Sequence, residues 1–117
     1  KELNLFEEAE FGYRKAVEFG DYQIDTWLFW VDILQYIGEF ESAIHTLLQA
    51  SEYFPEEYEL EYRLAGLYFM IHDDKKAKFH LSNGLRLSYS NKTILEELFP
   101  VVWVRKIVQN AISKCSK

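Results

Sequence analysis

Residues 43–50 read AIHTLLQA and residues 77–84 read AKFHLSNG, and laying one stretch over the other decides the fold. Each opens on an alanine (Ala43, Ala77), holds a leucine four residues later (Leu47, Leu81) and closes on a small residue (Ala50, Gly84). A third stretch at 9–16, AEFGYRKA, sets Ala9, Tyr13 and Ala16 at the same places, so the three openings lie 34 residues apart. Working outward, Trp30 matches Leu64 and Leu34 matches Tyr68 at the same period. Self-similarity at a fixed period of this size marks stacked supersecondary units, none of which buries its apolar face alone. Each unit holds two stretches of helical apolar periodicity, which predicts a helix–turn–helix.

The small residues have a physical purpose in such a unit. Two helices joined by a short turn approach closely only where side chains are missing along the contact line. Ala43 and Ala50 lie two turns apart on one helix face and supply that line, with Leu47 filling the space beside it. Gly38 suits the left-handed position that ends a helix, and Pro55 stops the next one. The pattern predicts helices at about 5–19, 24–37, 40–53, 58–71 and 74–87, and a short one at 92–99 ahead of Pro100. A last helix near 103–115 is expected to lay Trp103, Ile107, Val108, Ala111 and Ile112 over the final hairpin as a cap. The expected architecture is all-α, an α-solenoid of antiparallel hairpins. It comprises a half unit at 1–23, full units at 24–57 and 58–91, and a cap at 92–117. Because the chain opens on Lys1 and on the second half of a hairpin, we expect it to be a piece of a longer repeat protein.

Composition agrees. The 117 residues suffice for one domain, and 49% hydrophobic with 17% aromatic content excludes a disordered chain. Two prolines and five glycines are too few for an all-β fold rich in turns. A single cysteine, Cys115, admits no internal disulfide and points to a reducing compartment. With no apolar run of the ~18 residues a span needs, we expect a soluble, cytoplasmic protein with no membrane partner. The net charge of -6 is unevenly spread. Residues 1–61 hold fifteen acids and three bases, and residues 62–117 hold four acids and ten bases. Overall acidity repels nucleic acid, and the basic half has no RNP-like or Gly/Arg-rich run to offset it, so nucleic acid is not an expected partner.

Taken together these residues resemble the tetratricopeptide repeat (TPR) family, whose pattern is W-x2-L-G-x2-Y, then a small residue with an aromatic four later, then Pro. In 24–57 the Trp is Trp27, the small residues are Ala43 and Ala50, and the Pro is Pro55. Trp30, Val31, Leu34 and Leu47 stand in for the family's Leu, Gly, Tyr and aromatic. In 58–91 the run Leu64-Ala65-Gly66-Leu67-Tyr68 and Ala77 follow the pattern, while Glu61 and Tyr89 replace Trp and Pro. The resemblance spans about residues 5–91. It implies that the first helix of each unit lines an inner groove that binds a peptide or helix of a partner. The implied groove residues are Asp25, Leu28, Phe29, Asp32, Gln35 and Tyr36 from the first full unit. Glu59, Tyr62, Arg63, Gly66, Phe69 and Met70 come from the second. Phe29, Phe69 and Met70 fit either groove or core, whereas Tyr36 and Tyr62, with polar ends, suit the groove. Gly66 either admits a ligand backbone or permits tight packing beside Ala65, and we favour packing. A clamp for a C-terminal carboxylate is disfavoured, because Leu28 and Asp32 stand where Lys and Asn are needed and only Arg63 is positive.

Catalytic chemistry finds little footing. His45, His72 and His80 form no i, i+4 pair, and His72-Asp73-Asp74 falls in a predicted turn where polar residues are ordinary. Cys115 has no base near it in sequence, and no phosphate-binding or nucleophile-elbow motif occurs. Asn91-Lys92-Thr93 fits a glycosylation acceptor only in a secreted protein. We therefore expect a non-enzymatic interaction module without metal or cofactor, whose partner is a protein segment with basic and apolar residues. The alternative is a structural spacer of a larger solenoid with no ligand of its own. Weak self-association is also expected through an open N-terminal end carrying Phe6, Ala9 and Tyr13.

Overall fold

The structure, a computed structural model, describes residues 24–115. The expected helix at 5–19, the half unit and the Phe6–Ala9–Tyr13 stripe lie outside the described residues. Among those described, every regular element is helical and no strand occurs. The chain divides into two compact units, at residues 1–54 and 55–117.

In the first unit, α1 (Ile24–Tyr36) packs on α2 (Phe40–Tyr53). The former buries Trp27, Leu28, Trp30, Val31 and Leu34, and the latter Ala43, Ile44, Leu47 and Ala50. The contact line of small residues is as expected: Ala43, Leu47 and Ala50 are all fully buried. Trp27 also lies against Tyr53, ring centres 5.5 Å apart. Between the helices Gly38 takes φ +86°, the left-handed conformation that a glycine enters without steric penalty. The Gly38 N–H donates to the Gln35 carbonyl (3.1 Å) and the Glu39 N–H to the Leu34 carbonyl (2.8 Å). This crossed pair satisfies carbonyls that the helix end leaves open.

The second unit repeats the device. Its α3 (Tyr58–Met70) and α4 (Asp74–Leu87) pack on each other along their length. At the turn His72, 34 residues after Gly38, takes φ +66°. The His72 N–H donates to the Phe69 carbonyl (3.1 Å) and the Asp73 N–H to the Tyr68 carbonyl (2.9 Å), the bonds of the first turn shifted by one repeat. Asp73 then caps α4 by accepting from the Lys76 N–H at 3.3 Å. Ala77, Leu81 and Gly84 are buried, and the missing side chain at Gly84 admits the Tyr62 ring, whose Cδ1 would lie 3.0 Å from an added Cβ.

A 3-10 turn (Tyr89–Lys92) leads into three further helices, α5 (Thr93–Leu98), α6 (Pro100–Trp103) and α7 (Lys106–Cys115). Here the expectation needs correction. Pro100 opens α6 at a first-turn position instead of only ending a helix, and the final helix starts at Lys106, not near 103. That helix packs on α4 with Val108 and Ile112 buried, while Trp103, Ile107 and Ala111 are half-buried. Both α5 and α6 pack on α3, and Leu95, Phe99 and Val102 are buried. Among the described residues no helix is long and apolar enough to cross a membrane.

Candidate functional site

The twelve residues read from the sequence as one groove part into two groups. On α1, Asp25, Phe29, Asp32 and Tyr36 form an exposed line at spacings of four, three and four residues. Phe29 is 64% exposed and Tyr36 89%, which is a large aromatic area left to solvent. Gln35 sits beside the line half-buried, and Leu28 turns inward and is buried. The described part of this unit is acidic in sequence. Residues 24–54 contain Asp25, Asp32, Glu39, Glu41 and Glu52 and no lysine or arginine.

The corresponding face of α3 is not open. Tyr62 is completely buried, and its hydroxyl donates to the Ser88 carbonyl at 2.7 Å. Phe69 is buried as well, with the Arg105 guanidinium 5.3 Å above its ring. Arg63 is buried beside Glu59, its own i–4 neighbour, at 3.5 Å. Gly66 faces Phe99 so closely that an added Cβ would come within 3 Å of three ring atoms, Cγ at 2.8 Å among them. The choice left open for Gly66 therefore falls to packing, against the chain's own Phe99. Glu59 and Met70 are half-buried. The reason for the correction is local: residues 88–105 cover the face of α3 that the periodicity assigned to a partner. Phe99, the residue that closes it, was missed because it ends the predicted helix at 92–99, to which no packing face was assigned from the sequence. The glycine inside α3 was the one signal that something large approaches there.

Two of the three histidines take structural places, and His45 is exposed. His72 occupies the left-handed turn. On α4, His80 bonds through Nδ1 to Glu61 Oε1 at 2.8 Å, and the same oxygen accepts from Asn83 Nδ2 at 3.2 Å. Its ring stacks on Tyr68 at 5.5 Å and 7°. Together these contacts clasp α4 to α3 in a half-buried polar seam. Asp74 reaches Arg105 at 3.5 Å and ties the start of α4 to the C-terminal segment. Among the described residues no three His, Cys, Asp or Glu side chains are grouped to hold a metal ion. Along α1, two carboxylates alternate with two aromatic rings on one exposed face. No protein-family model matches the chain, and no curated protein matches it significantly.

Proposed function

We propose that the chain is a TPR-type, non-catalytic interaction module of the cytoplasm that holds a basic, apolar-bearing segment of a partner protein on the α1 line. The observation that carries this reading is the exposure of Phe29 and Tyr36 between Asp25 and Asp32. Aromatic side chains give large contact area at small entropic cost and dominate binding energies in interfaces. The carboxylates select lysine or arginine in the partner and disfavour acidic segments. Solenoid stacking of the two hairpins belongs to the same reading, supported by the turn geometry that recurs after 34 residues. For the second unit a spacer role is favoured by a specific contact, since Phe99 already fills the face of α3 at Gly66.

A peptide array followed by anisotropy titration tests the proposal. Phe29→Ala and Tyr36→Ala should each weaken binding by ~30-fold, the loss expected of a ~2 kcal/mol hot spot, without change in helix content. Raising salt should weaken binding further, because exposed charge contacts are screened beyond ~8 Å at physiological ionic strength. Binding indifferent to both substitutions, or without preference for basic peptides, would retire the α1 site.

A further inference from the structure

The exposed line of α1 has a counterpart on α4. Lys75, Phe79, Ser82 and Arg86 are all exposed, Phe79 at 62%. Each stands 50 residues after a member of the α1 line, so both lines share the spacing four, three, four. That spacing is the seam of a helix pair packing layer on layer, and each line runs for ~16 Å at 1.5 Å per residue. The charges are opposite. Asp74 is the only acid of α4 and is joined to Arg105, while Lys75, Lys76, Lys78 and Arg86 make the helix basic.

We propose that the α1 line of one molecule docks, parallel and in register, on the α4 line of a second copy of the chain. This rests on reading α1 as a docking surface and names its occupant. Four layers result. Asp25 meets Lys75 as an ion pair, and Phe29 meets Phe79 as an aromatic pair. The Ser82 hydroxyl donates to the Asp32 carboxylate, and Arg86 lies on the Tyr36 ring as a cation–π contact. The antiparallel alternative sets the Asp32 carboxylate against Phe79 and leaves Phe29 facing Ser82, so both phenylalanines lose an aromatic neighbour. Like faces fit worse. In parallel, α1 on α1 stacks carboxylates and α4 on α4 stacks cations. In antiparallel, α1 on α1 sets each carboxylate against a ring with no ion pair, while α4 on α4 sets Lys75 against Arg86. The contact is therefore heterologous, one surface against a different one. A single four-layer seam falls well under the ~1,200 Å² of stable complexes, so the association is reversible and sensitive to salt.

Sedimentation velocity and light scattering of the whole chain, over a concentration series at low salt, provide the test. The mean mass should rise with concentration and return to the monomer near 1 M salt, where the Debye length shrinks to ~3 Å. Asp25→Lys alone, or Lys75→Asp alone, should weaken association at least ~10-fold by opposing like charges in one layer. An equimolar mixture of these two variants should recover it, because each supplies the charge the other lacks, and so should the double variant. Phe79→Ala should abolish it with helix content intact, as the position is exposed. A wild-type chain monomeric at every concentration overturns the proposal, as do single swaps without effect or a mixture that fails to recover. If the chain stays monomeric yet binds a basic, apolar peptide in a manner lost with Phe29→Ala, only the self-docking inference fails. If neither binding nor association responds to Phe29→Ala, the α1 reading fails with it.

Discussion

Replacing Gly66 by alanine is ordinarily favourable inside a helix, worth ~1 kcal/mol from backbone propensity alone. Here the sign should reverse. The added methyl would lie within 3 Å of three atoms of the Phe99 ring, a separation no relaxed contact tolerates. Phe99 is only 3% exposed, so its ring has no free space to move into. Overfilling a packed site costs ~1–3 kcal/mol, and a clash against several ring atoms belongs at the upper end. Subtracting the propensity gain leaves a net loss of ~1–2 kcal/mol. Removing the ring should restore the ordinary sign, so that in a Phe99→Ala background Gly66→Ala stabilises by ~1 kcal/mol. The coupling between the two positions is then ~2–3 kcal/mol, large for a pair but normal for residues in direct contact. The assay is a double-mutant cycle by urea unfolding, followed by far-ultraviolet circular dichroism. Because Phe99→Ala itself costs ~3–5 kcal/mol, all four proteins are measured with the same stabilising osmolyte. A Gly66→Ala midpoint at or above that of the parent would refute the reasoning. So would an equal loss in both backgrounds, which would show that Gly66 is constrained by something other than Phe99.

Three further predictions concern the repeat. His72 holds φ +66°, which costs a non-glycine residue ~1–2 kcal/mol. His72→Gly should therefore raise stability by ~0.5–1 kcal/mol after the glycine's greater entropy loss is subtracted, read as a higher urea midpoint at unchanged slope. The reciprocal change, Gly38→Ala, meets nothing within 4 Å and should destabilise through backbone conformation alone. Trp27→Ala removes a side chain only 2% exposed and should cost ~3–5 kcal/mol, with a loss under ~1 kcal/mol contradicting its place in the core.

The fold was largely legible because its controlling features are short-range. Small residues seven apart, a glycine after a helix and an apolar period of 3.6 each act within a few turns, and the helices at 40–53 and 74–87 coincide with the structure. The second turn was placed as well, at His72-Asp73-Asp74, but its left-handed residue was not, since positive φ is uncommon for any residue other than glycine. That residue, His72, became plain only from the hydrogen bonds its turn shares with the Gly38 turn. The C-terminal segment was read least well. There the deciding contact, Phe99 on Gly66, joins residues 33 positions apart and leaves no periodic trace.

The site divides for a related reason. Periodicity tells which residues share a helix face but not whether another element covers that face. On α1 the outward line alternates rings with carboxylates, and a surface carrying two carboxylates resists burial because each charge would lose its water. On α3 the line of Tyr62, Gly66 and Phe69 carries no charge, and Leu60, Leu64, Leu67 and Tyr68 occupy the other sides. From Leu64 to Met70 α3 is apolar all round, as a buried stretch is, so that run, though not Glu59, Glu61 and Arg63 before it, already argued against an open groove there. The pattern of charges along a face, more than its spacing, separates a surface left to solvent from one that the chain covers itself.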